Sequence, residues 1–296
     1  MTRLLIAFVS MLMTVLGFVA ESAGDARTAE LIAQARAALG GESTLAKVQG
    51  LSATGTLVRS LAERTVNGEI TIDLQLPDRM LRTDSMSPMG DATIVTEAGI
   101  NGEKVLRNSK MIGGGPNMII RVAPPPAAGS EAEAQALRNG RAELTRLSLA
   151  FLLAAPPSTP LEYAYLGEAE AEDGRADVID VKGPGSFAVR LFLDKTSHRP
   201  LMLVYKGVAQ GMVMRTQTLD GPRDPARLER AARDTAEPAP RPLVDISMFV
   251  DDYKQVDGVW LPHHVTRSVD GKPTEEWTFT SIRVNPVFKP DTFSSK

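Results

Sequence analysis

The sequence predicts a mainly β, α+β fold: one curled antiparallel half-barrel sheet with helices covering its concave face. Three observations predict it. From Leu51 onward, apolar and polar residues alternate in segment after segment, which is the period of half-buried strands. Short turns rich in Gly, Asn, Asp and Pro separate those segments, as in successive hairpins. Long helical spacing occurs in two stretches, 26–39 and 131–155, with a turn or two at most added by Arg227–Arg233. The sum is about ten or eleven strands and two helices, and an antiparallel sheet of that size curls and takes helices on one face.

The first element is a targeting segment. Met1-Thr2-Arg3 gives a short basic start, and the 17 residues from Leu4 to Ala20 carry no charge. That is short of the roughly 20 residues that span a bilayer. Ala20-Glu21-Ser22-Ala23 follows, and cleavage after Ser22 places small residues at both positions that a signal peptidase reads. Residues 1–22 are therefore read as a signal peptide and 23–296 as one domain; an uncleaved membrane anchor is the alternative. An exported chain with no cysteine points to a bacterial periplasm.

The first helix has Leu31, Ala35 and Leu39 on one face and ends at Gly40-Gly41. Strands are then expected at Leu51–Arg59, Glu69–Leu76, Arg79–Asp84, Ala92–Glu97 and Lys104–Arg107. Asn67-Gly68 reads as a hairpin turn before the second, and Gly99 with Asn101-Gly102 as the link between the last two. Insertions are expected near 108–130, which holds Gly113-Gly114-Gly115-Pro116 and Pro124-Pro125-Pro126, and near 209–242, which is charged and proline-rich. Between them lies the second helix, which Asn139-Gly140 is in a position to split. Strands resume at Leu161–Leu166, Asp177–Val181, Phe187–Leu193, Leu201–Tyr205, Val244–Tyr253, Gly258–Val269 and Glu275–Val284, with Asp257-Gly258 and Asp270-Gly271 as turns.

Composition narrows the chemistry by exclusion. The 33 Lys+Arg against 36 Asp+Glu give a net charge of −3, which offers no basic stripe for nucleic acid. The absence of cysteine excludes disulfides, thiolate metal sites and thiol catalysis. His263 and His264 are adjacent on a strand and point to opposite faces, so a shared metal is not expected, and both are read as solvated. Glu162, Glu168, Glu170, Glu172 and Asp173 read as a solvated edge. No G-x-S-x-G or phosphate loop occurs. No catalytic residue, metal ligand or cofactor is predicted.

One stretch is unusual. Leu144, Leu147, Leu149, Phe151, Leu152 and Leu153 cover more than the single stripe a surface helix needs. Such a helix is either packed in a filled core or the lid of an apolar cavity. In the second case Leu144, Leu147, Phe151 and Leu152 are the candidate ligand-binding residues. Of the twelve methionines, Met80, Met86, Met89, Met111, Met118, Met202, Met212 and Met214 are read as core filling rather than ligand contacts.

The stretch Leu193-Asp194-Lys195-Thr196-Ser197-His198-Arg199-Pro200-Leu201 resembles the strand–turn–strand of the periplasmic lipoprotein-carrier (LolA-like) superfamily. Tyr253–Pro262 and Glu276–Pro286 resemble the C-terminal strands of outer-membrane lipoprotein-sorting proteins and related uncharacterised periplasmic domains. Leu76–Arg82, Ile100–Glu103 and Ala38–Gly41 with Leu45 and Val48 are similar to earlier parts of those proteins. The resemblance implies a half-barrel lidded by helices and a non-catalytic, monomeric carrier of acyl chains or lipoproteins in the periplasm. It also implies a cavity arginine, for which Arg59, Arg82 and Arg107 are the candidates, and a possible partner in the inner or outer membrane. The alternative is an exported accessory domain with a filled core that binds a protein partner; a hydrolase on the same scaffold is a third reading.

Overall fold

The structure, a computed structural model, describes residues 25–61, 64–89, 92–113, 126–157, 159–171, 174–208 and 242–294. The expected signal peptide and most of both expected insertions lie outside these residues. A helix over 25–38 (α1) and a short turn Glu42–Leu45 (α2) precede five strands. These are β1 (Gly50–Leu61), β2 (Arg64–Gln75), β3 (Arg79–Met89), β4 (Ala92–Asn101) and β5 (Lys104–Ile112). Helix α3 (Glu131–Leu152) leads to β6 (Glu162–Ala171), β7 (Gly174–Gly183), β8 (Phe187–Asp194), β9 (Pro200–Val208), β10 (Leu243–Val256), β11 (Val259–Val269) and β12 (Lys272–Val284). All twelve form one antiparallel sheet in the order β5-β4-β3-β2-β1-β12-β11-β10-β9-β8-β7-β6. The expected ten or eleven strands are thus exceeded, because no two of the alternating segments merge.

This order is two meanders, β1–β5 and β6–β12, stitched where the first strand meets the last. Every other pair of neighbours is also consecutive in the chain. Asn285 fastens the stitch: its Oδ1 accepts from the Gln49 and Gly50 amides (2.6 and 3.3 Å) and its Nδ2 donates to the Lys47 carbonyl (2.9 Å). The sheet is open, with β5 and β6 as its edges.

Alternation sets the faces. Ile70, Ile72 and Leu74 are buried while Glu69 is exposed, and Phe187, Val189, Leu191 and Leu193 are buried against exposed Ala188 and Arg190. Asp257-Gly258 and Asp270-Gly271 both have positive φ at both residues, the backbone of two-residue hairpin turns. Two glycine readings are corrected. Asn67 and Gly68 lie inside β2, and Gly99 lies inside β4. A Cβ on Gly68 would meet the Ser85 carbonyl at 2.3 Å, and one on Gly99 the Met80 carbonyl at 1.9 Å. These glycines serve close strand approach, not turning. The break after the first meander also begins later than expected, because β5 continues to Ile112.

The core lies between the sheet and the two helices. Leu31 and Ala35 of α1 and Leu39 directly after it are buried in it, as their spacing predicted. Helix α3 is continuous through Asn139-Gly140. Gly140 is where the helix presses on the sheet: a Cβ there would lie 2.4 Å from Ile100 Cγ2. Ser130 caps the helix by accepting from the Glu133 amide (3.1 Å), while Glu133 accepts from the Gly129 amide (2.6 Å). The helix ends at Leu153 in the left-handed conformation (φ 48°), whose carbonyl accepts from Arg36 Nη1 of α1 (2.5 Å). Among the described residues no helix is long and apolar enough to cross a membrane.

Candidate functional site

The first half of α3 is largely exposed, and the second half is buried on every side from Leu147 to Leu152. Leu144, Leu147, Phe151 and Leu152 are each 1–2% exposed and belong to the core shared by helix and sheet. The Phe151 ring stands edge-on to Phe279 of β12 (centroids 6.1 Å), which in turn meets Trp277 (6.2 Å). An apolar surface beneath α3 is therefore built from the helix and the middle of the sheet.

Beside it, on the same face, lies a buried group of charges. Arg59 of β1 reaches Asp84 (2.7 Å) and Glu275 (2.7 Å). Arg82 of β3 reaches the same two carboxylates (2.7 and 2.9 Å). These four side chains close a ring of two cations and two anions, and the Trp277 indole Nε1 donates to Glu275 (3.0 Å). A second group joins helix to sheet: Glu143 of α3 pairs with Arg267 of β11 and, more loosely, with Arg146 one turn on (3.4 Å). The guanidiniums lie on aromatic faces, Arg82 and Arg267 on Trp277 (4.9 and 4.8 Å to the centroid) and Arg146 on Tyr205 (3.9 Å) and Phe187 (5.8 Å).

Burial alone would drive these groups neutral, yet their partners reverse it. For Glu275, burial raises the pKa, but Arg82, Arg59 and Arg267 together pull it down to about 2. Glu143 is held below the usual carboxylate range in the same way by Arg267 and Arg146. Arg267 is raised despite its burial by the carboxylates of Glu143 and Glu275. Burial pushes the Tyr205 phenol up, so it stays neutral.

The histidines divide as adjacent strand residues must. His263 is buried with Nδ1 at 3.0 Å from the Leu261 carbonyl, which corrects the reading of both as solvated. His264 faces outward between Asp251 (2.7 Å) and Glu276 (3.0 Å). Burial opposes its charge, but the hydrogen bonds to Glu276 and Asp251 outweigh it and raise its pKa. Among the described residues no three His, Asp or Glu side chains are placed to hold a metal. The acidic edge β6 is partly neutralised, because Glu168 pairs with Arg175 (2.5 Å) and with Lys195. Of the methionines named above, Met80 and Met86 are buried and Met111 and Met202 half-buried; Met118, Met212 and Met214 lie outside the described residues, as does the side chain of Met89.

Of the three arginine candidates, Arg59 and Arg82 enter the ring, and Arg107 is exposed on edge strand β5. Asp84, Glu143, Arg146, Arg267 and Glu275 were not singled out from the sequence, although a signal exists. Arg82 and Asp84 share the phase of buried Met80 and Met86, Glu275 that of Trp277 and Phe279, and Arg267 that of Leu261 and Val265. Charges in the inward phase of a strand are the mark of a buried polar group.

No family model and no curated protein matches the chain. Among solved structures it is similar to a domain from Vibrio parahaemolyticus described as an outer membrane lipoprotein-sorting protein, at 13% identity, covering 89% of this chain and 94% of that one, with a TM-score of 0.42. It is also similar to a LolA superfamily protein from Nitrosomonas europaea, at 8% identity, covering 91% and 97%, with a TM-score of 0.45. A third is a DUF1329 family protein from Desulfovibrio piger, at 8% identity, covering 90% and 96%, with a TM-score of 0.44.

Proposed function

We propose that the chain is a non-catalytic, monomeric periplasmic binder that carries a hydrophobic ligand, acyl chains or an acylated protein, against the concave face beneath α3. The observation that carries this reading is the cover itself. An open twelve-stranded sheet is closed on one face by two helices, and the last turns of α3, Leu147–Leu152, are buried all round where a covering helix needs one stripe. The apolar leader Leu4–Ala20 supports export. Leu144, Leu147, Phe151 and Leu152 are the ligand-facing residues in this reading, and exchange with an inner- or outer-membrane protein is the expected traffic. The test is binding of a fluorescent fatty-acyl probe, with melting temperature, for the mature chain and for Leu147→Asp and Phe151→Asp. Probe binding by the parent, lost in variants that still fold, is the expected result.

The near-complete burial of these four residues favours a second reading, an exported accessory domain with a filled core that binds a protein partner. Absence of probe binding by the parent, with unfolding of both variants, selects it.

A further inference from the structure

The charges beneath α3 do not balance. The ring of Arg59, Arg82, Asp84 and Glu275 holds two cations and two anions, each arginine shared between both carboxylates. It needs no further ion. The group that touches the helix differs: Arg146 and Arg267 make their direct ion pairs with Glu143 alone, and although Arg267 also feels Glu275, the two groups together set four arginines against three carboxylates. Tyr205 lies against Arg146 and stays protonated, so it supplies no second anion. The Nε atoms of both Arg146 and Arg267 are buried and without a hydrogen-bond partner. A buried donor left unpaired is unfavourable, and more so on a cation. A purely structural network would be expected to balance as the ring does; a surplus cation with unused donors is the arrangement expected where an anion is received.

Its position relates it to the apolar surface. Glu143 lies one turn before Leu147, and Arg146 is sequence neighbour to it. The Arg146 and Glu143 side chains keep 16% and 22% of their exposure, so solvent reaches this end of the cluster, whereas Leu147, Phe151 and Leu152 beyond it are closed off. A molecule lying along α3 would meet charge at the rim and apolar side chains further in.

We propose that the ligand is an amphiphile with one anionic head group, a carboxylate or a phosphate monoester, whose charge is received by Arg146 and Arg267 while its chain lies beneath α3. This rests on the reading of the concave face as a ligand site. The experiment is displacement of the neutral dye N-phenylnaphthylamine from the mature chain by dodecanoate, dodecyl phosphate and dodecanol, which share a chain and differ in the head. Expected is at least tenfold tighter competition by one or both anions than by the alcohol, weakened by added salt. The stronger of the two anions identifies the head. Arg146→Gln should abolish the preference and leave dodecanol unchanged, while Arg146→Lys should keep part of it. Equal competition by all three would overturn the head-group assignment and leave the carrier reading standing. No binding of dye or of any competitor would overturn both. The parent chain alone decides between these outcomes, so an unfolded variant does not obscure them.

Discussion

Helix α1 is fastened mainly by hydrogen bonds in which one partner is a main-chain group, with one longer ion pair from Arg27 to Asp177 (3.8 Å), and helix α3 mainly by charge and packing. At the start of α1, Thr28 Oγ1 accepts from the Tyr165 amide of β6 (3.0 Å). At its end the Ala38 carbonyl accepts from Arg199 Nε (3.2 Å) and the Leu39 carbonyl from the Trp260 amide (2.8 Å). Gly40, with φ 130°, brings the chain against the Gly258 carbonyl so closely that a Cβ would lie 2.4 Å from it. Helix α3 meets the sheet through Glu143 with Arg267, Arg141 with Glu103, and Gly140 against Ile100. A hydrogen bond to a main-chain group does not itself titrate, whereas an ionic seat does, and a steric seat fails on a single added methyl. The lesson is that α1 acts as part of the frame, while the seating of α3 is set by a few side chains that can be altered one at a time.

The largest expected effect is on the ionic seat. Glu143→Ala leaves Arg146 and Arg267 buried with no carboxylate between them, and breaking a buried pair costs about 3–5 kcal/mol. Chemical denaturation measures it. A loss no greater than that from removing an α1 hydrogen bond would dissolve the contrast between the helices.

Acid should act next. The folded pKa of Glu275 is pulled down from an ordinary 4.5 to about 2, so its contribution is complete above 4.5 and disappears as pH falls toward 2. The amount is about 3 kcal/mol by linkage. Melting temperature followed over that window should fall steeply in the parent and much less in Glu275→Gln, which starts lower.

The steric seat is a smaller effect of unusual sign. Gly→Ala within a helix normally stabilises by about 1 kcal/mol. At Gly140 it should instead destabilise by about 1–3 kcal/mol, because Ile100 must give way. Pairing Gly140→Ala with Ile100→Ala should recover part of that loss in a double-mutant cycle.

The smallest effect belongs to α1. Thr28→Val removes the acceptor of the Tyr165 amide and should cost about 1 kcal/mol, with hydrogen exchange at Tyr165 accelerated and the seating of α3 unchanged.

Much of this architecture was legible in the residues. Alternation marked a segment within each strand although the expected total of ten or eleven fell short of twelve, and the Asp-Gly pairs at 257–258 and 270–271 located two turns, because both signals are local. Asn67-Gly68 misled for the same reason: a turn-forming pair and a pair admitting a neighbouring strand are identical until the neighbour is known. The charged cluster was harder. Arg59 and Glu275 are 216 residues apart in sequence, and only the β1–β12 pairing brings them together. That each sits in the inward phase of its strand was visible; who answers its charge was not.

That stitch has a consequence for how the chain reaches its fold. Within each meander every strand pairs with the one just before or after it, so loop closures are short and their entropy small, apart from the β9–β10 closure across residues 209–242. The β1–β12 seam alone requires contacts from opposite ends of the described chain. Folding rates fall as such distant contacts accumulate, and here they are concentrated in one place. The two meanders can therefore mature separately and quickly, while the joining of the seam, which also assembles the arginine–carboxylate ring across it, sets the pace for the whole.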